Sequence, residues 1–233
     1  MANRRRYKNE DPGPNPDPEN YMLVETKEGR YYRRKRGRVK RAVLNATLQQ
    51  SSDSIKVCSP VASKMAAALR KDLRGLDTGR MIARFTALLR KALHKNGKPD
   101  YSFFVDYDFQ PDHPIDGLLR VPYRCQEKKG NIELQIQLIP EAVKKHNPLV
   151  SEYYFDLVLL YGDPSANDGL RVETITSPNY PYALSKETTC KLSITLPQRE
   201  QPWMLMLKVS SLEGKELACH PKHYGMKVVK VGN

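Results

Sequence analysis

The chain has 233 residues, with 39 Lys or Arg against 26 Asp or Glu and a net charge of +13. Its most apolar stretch, Tyr153 to Tyr161, is nine residues long and contains Asp156, too short and too polar to cross a bilayer as a helix. The charge is divided unevenly: residues 1–98 hold 24 cations against 9 anions, a net +15, whereas residues 99–233 hold 15 against 17, a net −2. That asymmetry points to one end of the chain meeting polyanions.

Arg4, Arg5 and Arg6 open the chain with no apolar segment behind them, so no secretory leader and a cytoplasmic location are expected. Pro12, Pro14, Pro16 and Pro18 alternate with Asp, Asn and Gly, which predicts an extended or disordered arm. Tyr21 to Thr26 reads as a strand, and Lys27-Glu28-Gly29 as the turn into a second strand at Arg30. The densest basic run follows. Arg30, Arg33, Arg34, Lys35, Arg36, Arg38, Lys40 and Arg41 place eight cations in twelve residues, beside Tyr31 and Tyr32. Guanidinium and ammonium groups neutralise phosphates and release counterions, and tyrosines stack on unpaired bases. The plain alternatives are a solvated segment and a docking arm for an acidic protein.

Ala42 to Val57 shows no clear pattern. Ser59 and Pro60 then read as the N-cap and first residue of a helix whose apolar positions are Ala62, Met65, Ala66, Leu69 and Leu73, ending at Gly75. A second helix is predicted from Asp77 or Thr78 to Lys95, with Met81, Ile82, Phe85, Leu88, Leu89 and Ala92 on its apolar face and Asn96-Gly97 as its stop. Arg80, Arg84, Lys91 and Lys95 fall on another face, with no acidic residue after Asp77 to balance them. Two helices joined by a glycine turn also suit a helix-turn-helix, with Arg80 and Arg84 at the start of its second helix.

From Tyr101 the period changes to two. Ile132, Leu134, Ile136 and Leu138 alternate with Glu133, Gln135 and Gln137. Further strands are expected at Ser102–Tyr107, Leu119–Cys125, Tyr154–Tyr161, Leu170–Thr176, Thr188–Leu196, Met204–Ser210 and Met226–Val231, with a helical insertion at Glu141–His146. The fold class expected is α+β: a basic N-terminal arm and αα-hairpin followed by an antiparallel β-sandwich-like domain. The corresponding segments are a basic, Pro-rich arm with a β-hairpin (1–57), a helical hairpin (58–98) and the β domain (99–233).

Signals for chemistry are sparse. Cys58, Cys125, Cys190 and Cys219 are widely spaced and are expected as free thiols, with Cys125 and Cys190 the one pairing to consider. Cys219, His220 and His223 offer three metal ligands within five residues, but no partner cluster supplies a fourth. Asp106 and Asp108, placed on one strand face, together with Asp112 and His113 suggest a Mg²⁺ site, against the simpler reading of a solvent face before a Pro-rich turn. Trp203 and the Tyr153–Phe155 group are expected in the core, and Tyr180-Pro181-Tyr182 in an exposed loop. No cofactor is implied.

Three stretches carry a resemblance: Arg38-Val39-Lys40-Arg41-Ala42-Val43-Leu44-Asn45, Gly75-Leu76-Asp77-Thr78-Gly79-Arg80, and the segment from His220-Pro221-Lys222-His223-Tyr224 to Val229. They resemble a family of proteins encoded by Bacteroides-type bacteria that carries no assigned activity. The resemblance covers most of the chain and implies a bacterial cytoplasmic protein without assigning a role to any residue. The functional expectation is therefore a non-enzymatic protein that binds nucleic acid, DNA or RNA, through its basic region. Its β domain would contact a protein partner or a second copy, and no membrane is involved. An assembly module and a metal-dependent enzyme are the alternatives.

Overall fold

The computed structural model describes residues 21–26, 29–34, 45–128, 130–166, 169–197 and 201–232. These fall into two units that divide between Gln49 and Gln50. In the first unit, β1 (Tyr21–Thr26) and β2 (Gly29–Arg34) pair antiparallel, with Thr26 opposite Gly29 and Tyr21 opposite Arg34.

Helix α1 (Ala46–Ala68) starts well before the Ser59-Pro60 signal. Asn45 is its cap: the side-chain Oδ1 accepts a hydrogen bond from the Leu48 N–H at 2.8 Å. Pro60 thus lies inside the helix, where its missing N–H removes the bond to the Lys56 carbonyl, at a cost of roughly 3 kcal/mol. What offsets this is a continuous buried stripe, Ser54, Cys58, Val61, Ala62 and Met65. The helix stops at Ala68 rather than Gly75, and turns carry the chain on to Leu76.

Helix α2 (Met81–Asn96) begins later than the expected Asp77 or Thr78 and buries Met81, Phe85, Leu89 and Ala92 of its expected face, while Leu88 is half-buried and Ile82 is exposed. Gly97 adopts a φ of 75° and donates its N–H to the Leu93 carbonyl, a left-handed C-cap. His94 and Lys95 sit in the last turn, where the helix dipole favours cations.

Ser102–Tyr107 is not a strand. Tyr101, Phe104 and Tyr107 recur every three residues, and Phe104 N and Tyr107 N each bond back three residues in successive turns. The rings gather around Phe85, with centroids 5.2 Å to Phe104, 5.3 Å to Tyr107 and 5.7 Å to Phe109. A short helix, α3 (Ile115–Leu118), follows. The Glu141–His146 segment is also not helical; it is laid beside Leu118–Arg120 by a Leu119–Val143 bridge.

Beyond the β1–β2 pair, the described strands form two further antiparallel sheets, making the chain α+β. The smaller has the order β3 (Tyr123–Lys128), β4 (Asn131–Leu138), β8 (Thr188–Thr195). In the larger, β5 (Glu152–Tyr161) and β9 (Trp203–Glu213) are the central pair. β6 (Arg171–Thr176) and β7 (Tyr180–Pro181) flank β5, while β10 (Glu216–Leu217) and β11 (Tyr224–Gly232) flank β9. Pro122, which has no N–H to give a ladder, delays β3 past the expected Leu119.

Each face of the β5–β9 pair has its own cover. Phe155, Leu157, Leu205 and Leu207 pack with Ile132, Leu134, Ile136 and Leu192 of the smaller sheet. On the other face, Val158, Leu160, Met204, Met206 and Val228 pack with Val61, Met65, Phe85 and Leu89 of the helices. Double coverage explains why these two strands read as nearly unbroken apolar runs, whereas β4 alternates. The helical pair and the β region therefore share one core. Trp203, Tyr153 and Phe155 are buried as expected. Tyr180 and Tyr182 are half-buried against the same core, so they do not form the exposed loop expected of them.

All four cysteines are free. Cys125 pairs in register with Leu134, and Cys190 with Ile136, so β4 lies between them. Two strand spacings come to roughly 10 Å, beyond the roughly 7 Å Cα limit for a disulfide.

Candidate functional site

The basic run reaches the described residues only in part. Arg30, Tyr31, Tyr32, Arg33 and Arg34 lie on β2, where Tyr31 and Tyr32 are 51% and 42% exposed. Lys35, Arg36, Arg38, Lys40 and Arg41 lie outside the described residues.

The four cations predicted to share a face of α2 have different fates. Arg80 is exposed just ahead of the helix, held at a φ of 60°. Lys91 is exposed, and so is Lys95, whose ammonium stands 5.6 Å from the Phe103 ring centre. Arg84 turns inward. Its Nη1 and Nη2 donate to the carbonyls of Asp108 and Phe109 at 3.1 and 2.6 Å, and its guanidinium lies over Tyr107. That charge faces protein carbonyls, so Arg84 ties α2 to the aromatic turn instead of standing free for a phosphate. Arg90, which the sequence did not single out, does the same toward α1, donating to Ser54 and Ser51 at 2.8 and 2.9 Å.

The acidic cluster is used up in a similar way. Asp106 and Asp108 do not share a strand face. Asp106, at a φ of 60°, pairs with Lys227 at 3.2 Å, and Asp116 pairs with the same lysine at 3.0 Å. Burial alone would lower the Lys227 pKa, but the hydrogen bonds to Asp116 and Asp106 outweigh it and hold the ammonium above its ordinary range. Asp108 accepts from the backbone N–H groups of Gln110 and Ile115, at 3.0 and 2.9 Å. Burial raises its pKa even so, with those two bonds pulling the other way. A lysine and backbone donors occupy the carboxylates that a Mg²⁺ site would need. Asp112 is exposed on the following turn.

The histidines come together where the sequence kept them apart. Gln110 is the organiser. Its Oε1 accepts from the Asp77 N–H at 2.8 Å, and its Nε2 donates to the carbonyls of Pro221 and Tyr224 at 2.9 and 3.4 Å. The 110–113 turn is thereby fastened to the 3₁₀ turn Pro221–His223, which brings His113 to 6.3 Å from His220, centre to centre. His220 stands 6.4 Å from His223, and His146 stands 6.1 Å from His223. Ser211 donates to the His223 carbonyl at 3.0 Å and fixes the backbone from below. His223 is 1% exposed, and among the described residues neither ring nitrogen has a hydrogen-bond partner.

Burial pushes the His223 pKa down to about 4, helped by Lys222, His146 and His220. Burial lowers His146 too, followed by the fields of Lys144, Lys222, His113 and Arg120. Cys219 is exposed. The local pair His220 and His223 was visible in the sequence; His113 and His146 arrive only through the fold. Among the described residues, no three His, Cys, Asp or Glu side chains stand in a metal-ligating arrangement.

A buried charged pair escaped sequence reading altogether. Asp156 of β5 faces Lys208 of β9 in register, and the Thr176 hydroxyl donates to Asp156 at 2.6 Å. Asp72, in the turns after α1, adds its field to both and accepts from Thr174 at 2.8 Å.

Among the described residues, no helix is long and apolar enough to cross a membrane. No family model, curated protein or solved structure matches the chain.

Proposed function

We propose that the chain is a non-enzymatic, nucleic-acid-associated protein of the bacterial cytoplasm. Its basic N-terminal region contacts phosphates, and its β region contacts a protein partner or a second copy. The observation that carries this reading is the division of charge, +15 on residues 1–98 against −2 on the remainder. Cations in such density attract a phosphate backbone by counterion release, independent of base sequence. The exposed Tyr31 and Tyr32 support it as stacking surfaces, and Arg80, Lys91 and Lys95 are exposed cations at and on α2. The β region is read as sandwich-like, on the strength of the core that its two sheets share.

Fluorescence anisotropy with short single- and double-stranded oligonucleotides, at several salt concentrations, tests the reading. Affinity is expected to fall steeply with salt, with a log–log slope of about −0.9 for each duplex phosphate contacted. Changing Arg33, Arg34, Lys35 and Arg36 together to Ala should flatten that slope. Absence of binding at low salt, or equal slopes for the two proteins, would overturn the reading and favour an assembly module that docks on an acidic protein.

A further inference from the structure

Four of the chain's five histidines meet at one place, with their ring centres 6.1 to 6.4 Å from their neighbours. They come from three separate segments: His113 from the turn before α3, His146 from the stretch beside Leu118–Arg120, and His220 and His223 from the turn before β11. A buried imidazole with both nitrogens unpaired among the described residues, as at His223, carries a desolvation cost for each unmet polar group, and native structures rarely keep such a group without a reason.

The chemistry of the neighbours decides what the cluster suits. Lys222 lies between His220 and His223 in sequence, and its field reaches both His146 and His223. Lys144 and Arg120 add to the field at His146. Among the described residues, the charged groups acting on these two rings are cationic or imidazole. Glu141 is near in sequence, but it is exposed and paired with Arg120 at 3.2 Å. The tautomer of His220 points the same way. Its Nδ1 accepts from the Lys222 N–H at 3.2 Å, so the neutral ring carries its proton on Nε2. An Nε2–H is a hydrogen-bond donor and cannot ligate a metal until that proton leaves. A divalent cation would also meet the repulsion of Lys222 and Lys144, whereas an anion gains from each of them.

We propose that His113, His146, His220 and His223, with Lys222 and Lys144, form a binding site for a phosphate group. The donors are the His220 Nε2–H, the two lysine ammonium groups, and the His113 and His146 rings at the rim. A phosphate oxygen admitted between the His146 and His220 rings would provide the acceptor that His223 lacks. Gln110 and Ser211 hold the backbone of this site in place through the bonds already described. The site uses no residue of the basic N-terminal run and does not depend on that run binding nucleic acid.

The test follows the imidazole C–H signals of the full chain by NMR as inorganic phosphate, a nucleoside monophosphate or an oligonucleotide is added at constant ionic strength. Chelator-treated protein is used throughout. Saturable shifts are expected at His113, His146 and His220, with none at His94, which lies on α2 away from the cluster. His220→Gln and Lys222→Gln are each expected to weaken phosphate affinity tenfold or more, and both sit where a change leaves the core intact. Saturation by inorganic phosphate and monophosphate would assign a terminal phosphate; saturation by the oligonucleotide alone would assign a backbone phosphodiester. Either result supports the site. Equal shifts at His94, the same shifts with chloride, or unchanged affinity in both variants would overturn it. Shifts produced by zinc and by no phosphate would overturn it in favour of a metal centre. The Arg33–Arg36 variant should keep these shifts, so failure here and failure of the nucleic-acid reading are distinguishable.

Discussion

Lys208 of β9 stands directly opposite Asp156 of β5, and the two are 4% and 7% exposed in the middle of the larger sheet. Burial raises the Asp156 pKa, while the Thr176 hydroxyl and Lys208 pull it back only in part. Burial lowers the Lys208 pKa, while Asp156 and Asp72 pull it back only in part. Each charge is thus disfavoured by its surroundings and sustained by the other. Lys208→Met should cost about 3–5 kcal/mol, because it leaves an uncompensated buried carboxylate, and the double variant Asp156→Leu with Lys208→Met should recover most of that loss. Urea denaturation measures both. A double variant as unstable as the single one would show that the pair is not coupled.

The same variant has a signed pH dependence. Removing Lys208 removes an attraction that lowers the Asp156 pKa, so the folded value rises further above the ordinary carboxylate range. A carboxyl with a raised folded pKa binds more protons in the native state, and its contribution to stability falls as pH rises. The deficit of Lys208→Met relative to wild type should therefore be larger at neutral pH than in acid. A deficit constant across that range would contradict the assignment.

Gly75 has a φ of 85°, and a Cβ built there would fall 2.5 Å from the Tyr224 ring. Gly97 has a φ of 75° with nothing within 4 Å. Gly97→Ala should cost only the left-handed strain, about 1–2 kcal/mol. Gly75→Ala adds a ring clash to that strain and should cost clearly more. Thermal denaturation of the two variants compares them, and equal losses would mean that the ring gives way freely.

Arg84 and its helical neighbours should separate stability from binding. Arg84→Ala forfeits two charge-assisted hydrogen bonds to carbonyls and should lose about 2–3 kcal/mol of stability. Lys91→Ala and Lys95→Ala remove exposed charges, so they should leave melting within about 0.5 kcal/mol of wild type while reducing the salt slope of oligonucleotide binding. If Arg84→Ala melts like wild type, the inward contacts carry no weight.

Thiol reactivity should follow burial. Burial raises the pKa of Cys58, Cys125 and Cys190, so their reactive thiolates are scarce, and Cys58 and Cys190 are also enclosed. Cys219 is exposed. A thiol reagent should label Cys219 first in the folded protein and all four after denaturation without a reductant. Mass spectrometry reads the order, and early labelling of Cys58 would show that α1 opens.

Several features of this protein were already determined by the sequence. The charge division needs only counting. The alternation of β4 and the apolar face of α2 are local periodicities, set by neighbours two to four residues away, and Gly97 marks the end of that helix by its own backbone freedom. Other features were decided only when distant segments met. Pro60 is an acceptable first residue of a helix by local rules, yet the burial of Ser54 and Cys58 extends α1 past it. Arg84 looked free because no local residue competes for it; its carbonyl partners are 24 and 25 residues away. The cross-strand match of Asp156 to Lys208 and the gathering of His113 and His146 around His220 and His223 depend on strand register and on Gln110, which bonds across 111 residues to Pro221. A helix or strand period is written within one turn or two of chain, but partner choice between segments depends on the packing of the whole core, and no local pattern records it.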